Sequence, residues 1–152
     1  MNPNLMAPCG LFCGVCSIHI AHQTNDQRLK EKLSGFYNVA PEEIACEGCL
    51  SETPFTYCRV CEIKACASNK QIAGCHECDD HPCAIIESFP VPEGKAVMLR
   101  AVPERRKVGD EQWVALEIVR HTCPHCGGQL FRGSQRCRSC KQPVDTHQTP
   151  AS

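Results

Sequence analysis

The sequence predicts a small, irregular α+β protein whose fold is held together by metal ions. Fifteen of its 152 residues are cysteine, whereas it has one Trp, two Tyr and five Phe. A chain with so few aromatic residues has little material for a large apolar core, so the cysteines are expected to organise the fold. Short helical patterns separate the cysteine clusters, and two Cys-x-x-Cys turns near the end of the chain indicate a zinc ribbon.

The cysteines are better suited to binding metal ions than to forming disulfide bonds. Residues 1–9 have neither the basic nor the apolar segment of a secretory signal, and no stretch reaches the roughly 18 apolar residues of a membrane-spanning helix. We therefore expect a cytoplasmic protein without a membrane partner. In a reducing compartment clustered Cys-x-x-Cys pairs indicate metal sites, and an odd number of thiols cannot all pair within one chain.

Short helices are predicted between the cysteine clusters of the first part of the chain. Asp26 is a suitable N-cap for a helix in which Leu29 and Leu33 recur at a helical interval. One helical turn is predicted at residues 41–44, where a proline occupies a first-turn position. A short closing helix is predicted at residues 83–89.

The prolines and the glycine of residues 90–94 mark a domain boundary. Beyond it, Asp110 can cap a helix that carries Trp113 and Leu116 on one side, and we expect this helix to bridge two metal-binding regions. The predicted domains are a cysteine-rich zinc-knuckle domain at 1–92, a linker and bridging helix at 93–120, a zinc ribbon at 121–145 and a disordered tail at 146–152.

The most specific metal motif is the pair of turns near the end of the chain. Cys123 and Cys126 form one Cys-x-x-Cys turn, and Cys137 and Cys140 form another after a ten-residue connection. Four thiolates from two such turns make the tetrahedral donor set that zinc accepts. Iron can use the same sulfur ligands, but we expect zinc.

Eight cysteines between residues 46 and 83 are enough for two further sites. In a local arrangement neighbouring cysteines share an ion, whereas in a cross-braced arrangement alternating pairs share it. The spacing leaves both arrangements open. The local arrangement would use Cys46, Cys49, Cys58 and Cys61 for one site, and Cys66, Cys75, Cys78 and Cys83 for the other.

Residues 9–16 hold three thiols that need a fourth ligand to complete a zinc site. With one histidine added to the fifteen cysteines, the chain has ligands for about four tetrahedral zinc ions. The alternative is an iron–sulfur cluster, since radical S-adenosylmethionine enzymes use this spacing, although the chain is too small for their barrel. The expected ligands are Cys9, Cys13 and Cys16, with a fourth from His81, His19 or His22.

Four cysteine segments carry a family resemblance. They are Ala7–Cys16, Cys46–Cys49, Cys58–Ala67 and Cys75–Cys83. Together they resemble a prokaryotic family named domain of unknown function 3795, over residues 5–92. The helix at Trp113 and the zinc ribbon are similar to an extension found in some members. The resemblance implies cysteine-bound metal and brings no activity with it.

The leading functional hypothesis is a non-enzymatic zinc module that binds a protein or nucleic acid. Residues 1–94 carry 6 basic and 12 acidic side chains, whereas residues 95–152 carry 10 and 5. The basic part favours phosphate contacts, although Phe131 is the one aromatic residue among its charges. The candidate contacts are Arg105, Arg106, Lys107, Arg120, Arg132, Arg136, Arg138 and Lys141.

Two other functions compete with a binding module. An iron–sulfur or thiol redox protein would use the thiols of residues 9–16. A zinc hydrolase would need an open coordination position and a nearby base, for which Glu77, Asp79 and Asp80 beside His81 are candidates. Because tetrathiolate sites are normally closed, we expect no enzymatic activity.

Overall fold

Seven α-helices form the framework of residues 1–147, the part of the chain that the computed structural model describes. Four single turns of 3-10 helix lie between them, at Pro3–Leu5, Cys13–Val15, Pro41–Glu43 and Cys75–Glu77. The α-helices are α1 (Ser17–Gln23), α2 (Gln27–Tyr37), α3 (Thr56–Arg59), α4 (Glu62–Lys70), α5 (Ala84–Glu87), α6 (Pro92–Val108) and α7 (Asp110–Arg120).

The structure is mostly helical, so the expected α+β class is not confirmed. Within residues 1–147, extended segments pair only at three isolated antiparallel bridges. Helical turns end just before Met6 and shortly before Thr122, so these bridges do not extend into strands of the usual five or six residues. The bridges join Met6 to Phe12, Thr122 to Gln129 and Arg136 to Pro143.

Helix α2 begins at the N-cap that the sequence predicts. The Asp26 carboxylate accepts a 3.0 Å hydrogen bond from the Leu29 N–H and so caps the first turn. Leu29 and Leu33 are buried against α1. The helix ends at Asn38, whose left-handed conformation (φ +55°) is one that asparagine tolerates better than most residues.

Residues 93–120, expected as a linker and one bridging helix, lie in two helices. Helix α6 begins at Pro92, and the chain turns at Gly109 with φ +81°, a conformation that favours glycine. Trp113 of α7 is fully buried, and its ring meets Phe12 edge-to-face at a centroid distance of 6.0 Å. The two helices therefore pack directly on the first cysteine segment.

A buried ionic cluster joins α6 to α7. Glu117 is fully buried, and its carboxylate accepts hydrogen bonds from Arg120 and, at 2.8 Å, from Arg100. Arg120 also donates to Glu104 at 3.1 Å. Because a buried carboxylate is stable only when paired, Glu117 depends on side chains of both helices, and the cluster links α6 to α7.

The C-terminal region contacts the first cysteine segment. The Arg132 N–H donates to the Val15 carbonyl at 2.7 Å, and its guanidinium donates to the Phe12 carbonyl at 2.6 Å. Gln129 donates to the Gly14 carbonyl at 3.3 Å. Of the predicted tail at 146–152, Thr146 is buried and residues 148–152 lie outside the described part of the chain.

Candidate metal centres

The four C-terminal cysteines form a tight group, which we name the C-terminal quartet. The sulfurs of Cys123 and Cys140 are 3.7 Å apart, and those of Cys126 and Cys137 are 3.6 Å apart. All four sulfurs lie within 4.8 Å of one another. Because zinc–sulfur bonds of about 2.3 Å place tetrahedral ligands about 3.8 Å apart, the donor set fits a zinc-sized ion.

Two similar turns build the C-terminal quartet. In the first, the Cys123 N–H donates to the Gly128 carbonyl at 2.8 Å, and Gly127 has φ +74°. In the second, the Cys137 N–H donates to the Gln142 carbonyl at 2.9 Å, and Lys141 has φ +66°. Each turn therefore places a left-handed residue immediately after its second cysteine, which directs both sulfurs to the same side.

The backbone stabilises negative charge in the C-terminal quartet. Hydrogen bonds from the Cys140 and Ser139 N–H groups hold the pKa of Cys137 below its ordinary value. The Gly128 N–H donates to the Cys126 sulfur at 3.4 Å. Such N–H···S contacts favour thiolates, the form that binds a metal ion.

Four further cysteines line one small cavity of about 30 Å³, and we name them the cavity quartet. The cavity is apolar apart from their sulfurs, Lys70 and His81. Its volume exceeds the roughly 10–15 Å³ that one water-sized sphere requires. Burial, with the neighbouring thiolates, raises the pKa of Cys75 to about 11. The cavity quartet consists of Cys66, Cys75, Cys78 and Cys83.

His81 lies with the cavity quartet. It lines the cavity, and its buried Nε2 has no hydrogen-bond partner among residues 1–147. A buried polar atom without a partner is unfavourable, so this nitrogen is suited to bind a metal ion or to pair with a neighbouring thiolate. As a candidate ligand, His81 is thus closer to the cavity quartet than to the thiols of residues 9–16.

The remaining seven cysteines lie before α1, before α3, and within or just after α3. We name them the seven-thiol group. Burial raises the pKa of Cys9, Cys49 and Cys58 to about 12, and neighbouring thiolates contribute to each shift. A bound dication would reverse these shifts, since a coordinating thiol loses its proton. The group consists of Cys9, Cys13, Cys16, Cys46, Cys49, Cys58 and Cys61.

The three groups differ in how tightly their sulfurs are placed. Every cysteine is free, and all fifteen lie within the described residues. Within residues 1–147, the C-terminal quartet is the one set of three or more candidate ligands whose donor atoms all lie within 4.8 Å of one another. Ion binding at the other two groups therefore requires their sulfurs to move closer together.

The other two histidines proposed for the first segment make hydrogen bonds of their own. His19 is buried, and its Nδ1 lies 2.8 Å from the Cys46 carbonyl oxygen. His22 Nε2 lies 2.8 Å from the carboxylate of Glu47. The contact with Glu47 occupies Nε2 of His22, whereas the contact with the Cys46 carbonyl leaves Nε2 of His19 available.

The acidic residues proposed as catalytic bases are also engaged in contacts. Glu77 accepts a 2.9 Å hydrogen bond from the Ala73 N–H, and Asp80 pairs with Lys70 at 2.8 Å. Asp79 is exposed. These contacts do not resemble the arrangement of a carboxylate base beside an open zinc site.

Two lysines near the thiols were not predicted from the sequence, and Arg106, predicted as a phosphate contact, lies beside the thiols as well. Lys70 donates to the Cys78 sulfur at 3.3 Å, and Lys64 donates to the Cys49 carbonyl at 2.7 Å. Arg106 donates to the carbonyls of Cys75, His76 and Cys78. The two lysines lie six residues apart on α4, a helix bordered by cysteines, and this placement was a signal that could have found them.

The fold and the C-terminal quartet define a small, mostly helical, cysteine-rich protein with a donor set compatible with a metal ion. The chain belongs to the family described as "Protein of unknown function (DUF3795)", whose model matches residues 5–88. No curated protein and no solved structure matches the chain. Within residues 1–147, no helix is long and apolar enough to cross a membrane.

Proposed function

We propose that the protein is a zinc-binding module without a catalytic centre, in which closed thiolate sites fold the chain and present its surface to a partner. The observation that carries this proposal is the sulfur geometry of the C-terminal quartet. Its opposed pairs, at 3.7 Å and 3.6 Å, match the edges of a tetrahedral zinc–sulfur site. Zinc is the assigned ion because it commonly occupies four-thiolate sites without redox chemistry.

A pair of variants tests this assignment. Cys126→Ser removes one sulfur of the C-terminal quartet, and Ser139→Ala changes a neighbouring residue that is not a ligand. Native mass spectrometry of the full chain should show one zinc ion fewer in Cys126→Ser and no change in Ser139→Ala. Equal zinc content in the Cys126→Ser variant and the unmodified chain would contradict a zinc site at the C-terminal quartet.

The visible spectrum separates zinc from the iron–sulfur alternative. A zinc protein is colourless, whereas an iron–sulfur cluster at residues 9–16 would give brown protein with charge-transfer absorption. Protein purified without oxygen should therefore show no absorption band in the visible range. Stoichiometric iron and acid-labile sulfide would establish a redox protein instead.

An exposed aromatic patch supports a protein partner. Phe36 is 76% exposed and Tyr57 is 52% exposed, and both rings make edge contacts with Tyr37. Aromatic residues are enriched at protein interfaces, where they supply much of the binding energy. We assign the protein-binding surface of the module to this patch.

A basic groove supports nucleic acid as a second candidate. The groove has a volume of about 840 Å³ and lies between α2 and the C-terminal region. Arg28 and Lys32 of α2 line it together with Arg136, Lys141 and the ring of Phe131. Basic side chains beside an aromatic ring provide phosphate contacts and a stacking surface for a single strand.

The basic residues are nevertheless largely occupied within the protein. Of the eight candidates from the sequence, seven make hydrogen bonds to other residues of the chain. Arg138, for example, pairs with Asp26 at 2.5 Å on the border of the groove. Such pairing lowers the net charge that the groove can offer to phosphates.

Binding of a labelled single-stranded oligonucleotide tests the groove. If Lys32 contacts a phosphate, Lys32→Gln should weaken binding and reduce the slope of log affinity against log salt by about one. Lys107→Gln changes an exposed lysine on α6 outside the groove and serves as the matched control. The same loss in both variants would contradict a site in the groove.

A further inference from the structure

Helix α2 buries one face and exposes another. Leu29 and Leu33 pack into the apolar cluster that α2 shares with α1. Arg28, Lys32 and Phe36 are exposed and recur at intervals of four residues. Side chains four residues apart are neighbours on a helix surface, so these three form one line along α2. We name this line the α2 stripe.

The first two residues of the α2 stripe lie in the basic groove. Arg28 and Lys32 line it beside the C-terminal region. Within residues 1–147, the ion pair that borders the groove joins Arg138 to Asp26. The positive charges of Arg28 and Lys32 are therefore not neutralised by a carboxylate of that pair.

Two more positive side chains line the groove from the C-terminal region. Arg136 donates to the Lys141 carbonyl at 2.7 Å, and Lys141 donates to the Arg138 carbonyl at 2.5 Å. Because a carbonyl carries no net charge, both side chains keep their positive charge in the groove. Together with Arg28 and Lys32 they give the groove a positive potential that attracts anionic groups.

The last residue of the α2 stripe connects the basic groove to the aromatic patch. Phe36 follows Lys32 by one helical interval, and its ring meets Tyr37 edge-to-face at a centroid distance of 4.9 Å. Tyr37 in turn meets the half-exposed ring of Tyr57 at 5.8 Å. Val60, which follows α3, is exposed as well. Exposed apolar surface beside polar side chains is typical of an interaction site.

The chemistry of this surface fits a polypeptide better than a nucleic acid. A base needs a free ring face on which to stack. Phe131, the ring of the groove, is partly buried against the cluster of α1 and α2, and the Arg138 guanidinium lies over it at 5.8 Å from the ring centre. Val60 offers no ring at all. Apolar side chains of a protein pack against aliphatic and aromatic surface alike.

We propose that the α2 stripe binds a partner polypeptide through a segment in which acidic side chains adjoin apolar ones. The carboxylates of the segment lie against Arg28 and Lys32, and its apolar side chains cover Phe36 and Tyr57. This inference rests on the proposed function, a module that presents its surface to a partner, and adds the chemistry of that partner. The stripe is about 12 Å long, a length that about two helical turns or about four extended residues match.

The two ends of the α2 stripe contribute to binding in different ways. Contacts between exposed charges speed association and weaken as salt screens them. An aromatic ring that becomes buried at an interface supplies a larger share of the binding free energy. Lys32 should therefore determine the salt dependence of binding, whereas Phe36 should determine its strength.

The test begins with a phage-displayed library of random dodecapeptides and the zinc-loaded full chain as the target. The selected peptides should combine Asp or Glu with Leu, Phe or Trp. One of them, synthesised with a fluorophore, then gives the affinity of the chain and its variants by fluorescence anisotropy. A library that yields no binding peptide, or peptides without acidic residues, would overturn the proposal.

Matched variants locate the binding site. Phe36→Ser should weaken binding of the selected peptide at least about tenfold at every salt concentration. Lys32→Gln should weaken it chiefly at low salt. Val119→Ser and Lys107→Gln change an exposed apolar residue and an exposed basic residue elsewhere, and both should leave the affinity unchanged. Equal losses in these two controls would place the peptide outside the α2 stripe and overturn the proposal.

Two further measurements separate this inference from its alternatives. Binding of a labelled single-stranded oligonucleotide that Phe36→Ser abolishes would overturn the proposal, because the stripe would then belong to a nucleic-acid site. Native mass spectrometry of the same samples gives their zinc content. Failure of peptide binding with zinc retained would overturn the docking site alone, whereas a chain that binds no zinc would overturn the proposed function.

Discussion

The backbone N–H of Cys49 donates a 3.4 Å hydrogen bond to the sulfur of Cys13, which lies 36 residues earlier in the chain. Hydrogen bonds of this kind stabilise thiolates and are typical of the loops that surround metal-bound cysteines. This one joins the first cysteine segment to the Cys46–Cys49 turn. It therefore shows how residues distant in sequence are brought into one group of thiols.

Glycine at position 48 is required for that turn. Gly48 has φ +120°, and a β-carbon built there would lie 2.4 Å from the Asn4 carbonyl oxygen. We expect Gly48→Ala to destabilise the protein by about 1–3 kcal/mol, because both the backbone conformation and the contact are unfavourable for alanine. Urea unfolding of the zinc-loaded chain measures the change.

Gly35→Ala is the matched control for this prediction. Gly35 lies within α2, and a β-carbon there would have no atom within 4 Å. Alanine should stabilise the helix by about 0.5–1 kcal/mol, since glycine is unfavourable inside helices. Equal effects of the two substitutions would contradict the role given to Gly48.

The ionic cluster between α6 and α7 should be sensitive to loss of its central charge. Glu117→Gln replaces the buried carboxylate that accepts hydrogen bonds from Arg100 and Arg120 with a neutral amide. We expect a loss of about 3 kcal/mol in the free energy of unfolding. Glu111→Gln changes an exposed glutamate of the same helix, and its effect should stay within about 0.5 kcal/mol. A comparably small effect at Glu117 would mean that the cluster does not stabilise the helix pair.

Trp113 should report on metal loss. It is the single tryptophan, it is fully buried, and it contacts Phe12, which lies between Cys9 and Cys13 in the sequence. If bound ions hold this segment in place, a strong zinc chelator should expose the indole and shift its emission to longer wavelength. The same chelator saturated with zinc is the control. An unshifted spectrum after confirmed metal loss would show that the packing is independent of the ions.

Local features of the sequence predicted parts of this structure well. Asp26 was predicted as an N-cap and caps α2, because that interaction involves only the next three residues. The C-terminal quartet was predicted as a metal site, and its four sulfurs lie together because short turns hold each pair. In both cases the determining contacts are close in sequence.

Long-range arrangements were not predictable in the same way. Glu117 lies on a helix whose apolar pattern gave no sign that a carboxylate is fully buried, since its partner Arg100 belongs to α6. The grouping of His81 with the cavity quartet depends on the packing of α4 against α5. Cysteine spacing specifies which residues can be ligands, but their distribution among sites is determined by the packing of the helices.

The number of zinc ions per chain tests the central claim most directly. Fifteen cysteines and one histidine supply the sixteen ligands of four tetrahedral sites, so protein purified without oxygen should be colourless and contain about four zinc ions per chain. Native mass spectrometry combined with elemental analysis gives this number. A single zinc ion per chain, removed by Cys126→Ser, would contradict the account, because the other eleven cysteines would then be free thiols rather than ligands.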